Sequence, residues 1–465
     1  MSRNPLRNIP SVNELLESPP LRRLVDRISH NVVVSTVRNV LDEVRSEVQH
    51  AATDMTLPSV SELADRVARR ISEAELPPLR PVINATGILL HTNLGRAPLA
   101  EEALAEISAV ARDYASLEID LASGRRSRRV VAVEGLLVQL TGAEAALVVN
   151  NNSAATMIAL AAVAAGREVI VSRGELVEIG GSFRLPDVMA ASGAVLREVG
   201  TTNKTRASDY QAAINERTAA LMLVHPSNYA VVGFTESASL AELVEIGRKH
   251  RLPVIHDVGS GAMFDFSQFG FPGEPAAPQS IQTGADLVLF SGDKLLGGPQ
   301  CGILVGRRSI IEQISKHPLA RALRVGKLTL AALSATLRLH RDPERARRAI
   351  PLLHLLTTSV ENLENRAKRL APQIAAAPAV AAAEAIASTT FFGGGSLPTQ
   401  EIATWCVAVQ PNEMSVDRLA TALRLGTPAV MGRIQQGRLL LDLRSVMPRQ
   451  DQELVAALGG VTGGS

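Results

Sequence analysis

The sequence predicts an α/β protein with a mostly parallel sheet, a small helical domain before it and a smaller α+β domain after it. Three observations carry this expectation. Apolar residues recur near helical period up to about Glu75; short apolar runs then alternate with helical stretches from Ile83 to about Gly306; strand and turn signals return near the end. The length, 465 residues, exceeds one ordinary domain.

From Leu24 the apolar positions are Ile28, Val32, Val37, Leu41, Val44 and Val48. A second helix is expected to begin at Ser59, with Glu62 completing a capping box and Val60, Leu63, Val67 and Ile71 forming its apolar face. Pro77-Pro78 and Pro81 end the pattern. The organisation read from this is a helical domain over 1–72, a linker over 73–82, a core over 83–328 and a C-terminal α+β domain over 329–465. Predicted core strands are Ala145–Val149, Glu168–Val171, Ala219–Val224, Pro253–His256 and Leu287–Phe290. The run Gly302–Val305 follows the tight turn Gly297-Gly298-Pro299 and is expected to return antiparallel. Beyond it come a long helical stretch from Thr329 to about Leu370, Gly393-Gly394-Gly395, a strand at Thr404–Val409, a helix at Ser415–Leu425 and a hairpin from Ile434 to Leu443 turning at Gln436-Gly437. The tail from Gly459 to Ser465 is expected to be loose.

Composition narrows the function classes. Hydrophobic residues make up 46% but aromatics only 3%, so Ala, Val and Leu must fill the core. A net charge of +2 does not mark a nucleic-acid binder. The two cysteines, Cys301 and Cys406, form neither a disulfide framework nor a metal-ligand spacing, and no metal is expected. Met1 to Leu16 lacks an apolar signal segment, and the run Met157–Ala165 is too short to span a bilayer. A cytoplasmic location without membrane attachment is the expectation.

Three features stand in an order that suits pyridoxal phosphate (PLP). Asn150-Asn151-Asn152-Ser153-Ala154-Ala155-Thr156 follows a strand and opens a helix, whose free N–H groups at Asn152, Ser153 and Ala154 favour a phosphate; an ordinary helix cap has the same letters. Asp257 ends a buried strand, where a carboxylate can keep a pyridine nitrogen protonated; it could also cap the next turn. Lys294 stands in Phe290-Ser291-Gly292-Asp293-Lys294-Leu295-Leu296-Gly297-Gly298, where a buried amine can form an imine and Ser291 can donate to the phosphate. A surface loop lysine is the competing reading. Of the six lysines, only Lys294 follows a buried strand and precedes a Gly-Gly turn. His225, after another strand, either contacts the ring or substrate or is a packed loop histidine.

The motif Ser291–Gln300 resembles the PLP-lysine motif of the bacterial selenocysteine synthase family, the L-seryl-tRNA(Sec) selenium transferases. So do Ile83-Asn84-Ala85-Thr86-Gly87, His91–Leu99, Ser172–Gly181, Glu198–Asn203, Ile9–Val12, Gly432-Arg433-Ile434 and Leu441-Asp442-Leu443-Arg444. The resemblance implies a fold type I PLP-dependent transferase, like aspartate aminotransferase, with Lys294 carrying the cofactor as an internal aldimine and shuttling protons. It implies conversion of seryl-tRNA(Sec) to selenocysteinyl-tRNA(Sec) through a dehydroalanyl intermediate, with selenophosphate as selenium donor. Arg96, Arg321 and Arg324 would bind selenophosphate, arginine suiting phosphate geometry. Asp293 and Arg128 would form a supporting pair beside the lysine, although Gly124–Arg129 is more basic than the family pattern. The resemblance also implies tRNA recognition by shape in the N-terminal domain, and homodecamers with active sites at dimer interfaces.

Charge alone does not make residues 1–75 an RNA-binding domain, because that stretch carries a similar number of acids and arginines. The stretch 307–370 is richer in arginine, either a solvated helix face or a phosphate contact. Two rival functions remain. A PLP lyase or transferase acting on a small amino acid or sugar acid needs no N-terminal helical domain and no Arg96, Arg321 and Arg324. A DNA-binding regulator fused to a PLP fold needs a basic recognition helix and a wing hairpin, and neither signal is present, so no DNA partner is expected.

Overall fold

The computed structural model describes residues 9–50, 57–75, 77, 79–179, 183–393 and 400–461. Pro78, Gly180-Gly181, Gly394-Gly395 and residues 462–465 of the tail, all named above, lie outside these. The chain divides into two compact units, 1–81 and 82–465.

The first unit is helical: Val12–Leu16, Pro19–Val25, His30–His50 and Val60–Ala74. Ser59 and Glu62 form the expected capping box, the Ser59 N–H reaching the Glu62 carboxylate at 2.7 Å. The core gathers Leu15, Leu21, Val33, Val37, Val40, Leu41, Val44, Leu63, Val67 and Ile71. Val32, expected inside, is 40% exposed; the helix starts at His30, and its buried stripe runs one residue later, through Val33. Arg22, Arg45, Arg66 and Arg70 pair with acids of the same unit. Arg66 holds Glu43 and Glu47 at 3.2 and 3.0 Å, and Arg70 holds Glu43 at 2.6 Å.

The second unit contains a seven-stranded sheet. From edge to edge the strands are Ala145–Val149, Gly302–Gly306, Leu287–Ser291, Val254–Gly259, Thr218–Val224, Glu168–Ser172 and Val195–Val199. Gly302–Gly306 is antiparallel to both of its neighbours, as the tight turn before it requires, and the other pairings are parallel. This is the mostly parallel fold type I layout that the sequence predicts. The central strands are buried on both faces and therefore read as continuous apolar runs. Val195–Val199 went unpredicted because it is an edge strand, exposed along most of its length.

A second, five-stranded sheet joins Val82–Ala85 to Ala429–Gln435, Arg438–Asp442, Glu401–Pro411 and Val380–Phe391. The last hairpin turns at Gln436 and Gly437, both with positive φ. The expected long helix from Thr329 is four helices: Lys327–His340, Pro343–Ala349, Pro351–Thr357 and Val360–Ala375. Pro343 and Pro351 start new helices because proline donates no N–H to the turn before it. Among the described residues, no helix is long and apolar enough to cross a membrane.

Candidate active site

The parallel strands end in loops on one side of the sheet, and three of these ends converge on Lys294. The segment Gly292–Cys301 closes on itself: Gly292 N–H donates to the Cys301 carbonyl at 2.9 Å and Gly298 N–H to the Gly292 carbonyl at 2.8 Å. Leu295 N–H then ties the loop to the Ser260 carbonyl at 2.8 Å, just past the strand that ends in Asp257-Val258-Gly259. Lys294 is thereby held 4% exposed. Asn152, Ser153, His225, Asp257, Ser291, Asp293, Lys294 and Arg96 line one cavity of about 190 Å³, with Ser227 and Gln300. Seven sequence-predicted positions from five loops thus share a pocket with the lysine.

Asp257 is buried and triply bound. It accepts from Asn152 Nδ2 at 2.8 Å, Thr156 Oγ1 at 2.9 Å and Gly259 N–H at 3.1 Å. Burial still pushes its carboxyl above the usual range, so a positively charged or N–H-bearing ligand would find a carboxylate in need of a partner. Burial lowers the Lys294 ammonium, and the Arg96 guanidinium lowers it further, against Asp257, Asp293 and Glu274. A lysine so placed loses its proton more readily and becomes a nucleophile. Arg96 donates to Asp293 Oδ2 at 2.8 Å, from a residue in the left-handed region with φ 64°.

Four expected residues are not in this pocket. Ala154 N–H is taken by Oδ1 of Asn151, the helix N-cap, at 2.8 Å, which leaves Asn152 and Ser153 at the pocket. Asn152 spends its side-chain N–H on Asp257, so it serves the carboxylate, and only its backbone N–H serves the helix end. Arg128, Arg321 and Arg324 line a separate pocket with Glu118, Arg126 and Arg129. The reason is topological: Arg324 bridges to Val149, on the edge of the sheet, and Asn150 N–H donates to the Leu323 carbonyl at 2.9 Å. Arg128 pairs with Glu134 at 2.7 Å instead of with Asp293.

Comparison with known proteins shows the family. The family model "L-seryl-tRNA selenium transferase" matches residues 82–447, and the model "Selenocysteine synthase N terminal" matches 6–45. The L-seryl-tRNA(Sec) selenium transferase of Moorella thermoacetica is 48% identical over 469 residues, covering 100% of this chain and 99% of the relative. The chain belongs to the L-seryl-tRNA selenium transferase family. The relative of the same name from Carboxydothermus hydrogenoformans is 44% identical over 445 residues, covering 96% of this chain and 95% of its own. A solved D-glucosaminate-6-phosphate ammonia-lyase superposes with a TM-score of 0.56 at 22% identity, covering 87% of this chain and 98% of its own, a likeness of fold.

As a member of this family the chain uses PLP, and its pocket fits that group. A buried amine of lowered basicity, a buried carboxylate and a helix N-terminus converge there, and buried Asn152 Oδ1 and Ser260 Oγ have no partner among the described residues. Sequence reasoning missed Gln300, Ser227 and Glu175. Gln300 ends the lysine motif and Ser227 lies two residues past His225, yet nothing in their spacing indicates that they face the lysine. Glu175 is buried and accepts from Val224 N–H at 2.8 Å; burial pushes its carboxyl up to about 8. Its single-letter context, Arg-Gly-Glu, carries no burial signal.

Proposed function

We propose that this chain converts seryl-tRNA(Sec) to selenocysteinyl-tRNA(Sec), with PLP held at Lys294 and selenophosphate as the selenium donor. One observation carries the reading: the Lys294 amine, Asp257 and the Asn152 helix start line one buried pocket, in a chain 48% identical end to end to selenium transferases.

PLP, when bound, supplies an aldehyde for the seryl amine and a conjugated ring that withdraws electrons from the α-carbon. Asp257, pinned through Oδ1 and Oδ2 by Asn152 and Thr156, would keep the ring nitrogen of the bound group protonated. Lys294 Nζ would hold the group and would carry the α-proton of the seryl substrate, its lowered basicity keeping the amine available as a base. Arg96 presents a guanidinium to the selenium donor while Asp293 holds its other side. Arg321, Arg324 and Arg128 would complete the anion site from a neighbouring subunit, consistent with their separate pocket within one chain.

A homo-oligomer, a homodecamer by family resemblance, is part of this reading. Val232 and Phe234 are 87% and 89% exposed, which is unusual for large apolar side chains left to water. The tRNA is assigned to the N-terminal helical unit, read by shape, since Arg66 and Arg70 already hold carboxylates. The basic stretch 307–370 offers weaker support as a phosphate contact: Arg307, Arg338, Arg345, Arg366 and Arg369 are each paired with an acid. A cytoplasmic site of action follows from a tRNA substrate. The test is incubation with selenophosphate and either seryl-tRNA(Sec) or seryl-tRNA(Ser). Selenocysteinyl-tRNA formed from the first alone is expected; turnover of free serine with neither tRNA converted would overturn the proposal.

A further inference from the structure

We propose that Glu274 is a positioning residue: its buried carboxylate holds the His225 imidazole at the wall of the Lys294 pocket and through it raises the proton affinity of the lysine-linked cofactor. This rests on the reading that Lys294 binds PLP. Glu274 is 5% exposed and sits after Gly273 in a loop outside the catalytic motifs. Its Oε2 lies 3.5 Å from His225 Nε2, and its buried Oε1 has no partner among the described residues. A carboxylate removed from water without donors is costly, so it calls for a strong donor, and His225 is the one placed to serve. The distance is that of an ion pair more than of a short hydrogen bond, and such contacts commonly tighten when a ligand binds.

The position of His225 gives the pair its consequence. His225 directly follows the strand Thr218–Val224, and its N–H donates to the Asp257 carbonyl at 2.9 Å. Its side chain lines the Lys294 pocket and also an adjoining cavity of about 430 Å³ that Glu274 lines. The charged and titratable groups facing it from the pocket are Lys294, Asp257, Arg96 and Asp293. From the cavity they are Glu274, Glu175, His256, Tyr229, Lys204 and Glu236. Burial leaves Glu175 protonated at neutral pH, up to about 8, and His256 neutral, down to about 3. Glu236 is engaged by Arg206 at 3.1 Å. Glu274, with Oε2 3.5 Å from Nε2, is therefore the acidic side chain set against the imidazole.

The test follows the absorbance of the lysine-linked cofactor with pH in wild type, Glu274→Gln, His225→Asn and the double variant. Removing the carboxylate charge should lower the protonation midpoint by roughly half to one pH unit in Glu274→Gln. In the His225→Asn background the same substitution should move the midpoint by clearly less, since only the direct charge of Glu274 is then left to act. An unmoved midpoint in Glu274→Gln overturns the proposal; an equal shift in both backgrounds overturns the route through His225. Should Glu274→Gln not fold, histidine-labelled wild-type protein decides by NMR. A His225 Nε2–H proton protected from exchange, identified by its loss in His225→Asn, is expected, and its absence overturns the pairing. If the absorbance survives in Lys294→Ala, the assignment of Lys294 fails instead, and the Nε2–H signal still judges the pair.

Discussion

Lys294 and Arg96 show how residue placement sets chemistry. Burial and the Arg96 guanidinium both lower the lysine's basicity, and Asp293 holds Arg96 in place at 2.8 Å. Arg96→Ala should therefore retain PLP, because Asp257 and the helix start are untouched, yet slow selenium transfer by roughly tenfold or more through loss of a charge-assisted contact. It should also move the rising limb of PLP uptake by the apoenzyme to higher pH, since one of the two influences lowering the amine is gone. Measuring uptake rate against pH, with selenium incorporation alongside, checks both outcomes. At this scale the sequence was informative wherever a residue stood at a strand end in a long motif, as with Asp257, Ser291 and Lys294. Glu274 and Gln300 were not legible, because only the fold brings their loops to the pocket.

Among elements, the contact between the strand Gly302–Gly306 and the helix Asn152–Ala164 is the tightest near the site. A Cβ at Gly302 would lie 2.1 Å from the Asn151 carbonyl oxygen and 2.9 Å from Asn152 N. Gly302→Ala must push back the start of that helix, costing about 1–3 kcal/mol and weakening PLP binding roughly tenfold. Denaturant unfolding and PLP titration would show both. The helix Lys327–His340 is joined to the lysine loop through His340 Nε2 and the Leu296 carbonyl at 2.9 Å. Burial lowers His340 to about 4, so it stays neutral when folded and would charge when unfolded. Its stability contribution is present above the unfolded value, about 6.5, and is lost as pH falls toward 4. His340→Gln should flatten the fall in melting temperature across that window, an effect on the order of 3 kcal/mol at most. Elements with strong periodicity or caps were readable, such as the Ser59 helix. The strand Val380–Phe391 was not, since its alanine-rich letters favour helix and only pairing with Glu401–Pro411 makes it a strand.

For the whole molecule, the two units and the exposed Val232 and Phe234 matter most. Sedimentation should give a mass several times the 49.3 kDa of one chain, reduced by Phe234→Asp; a monomer would remove the proposed neighbour for Arg321 and Arg324. The fold class was legible because alternating strands and helices leave few layer arrangements. The separation of the arginines was not, because Arg321 and Arg324 lie only about thirty residues past Lys294 in sequence but one sheet edge away in space. The central claim is that the Lys294 amine, and no other, binds the cofactor. Borohydride reduction of the holoenzyme followed by peptide mass mapping tests it directly. The pyridoxyl mass is expected on the peptide containing Lys294; the same mass on a peptide carrying Lys204, Lys249, Lys316, Lys327 or Lys368 instead would contradict the account.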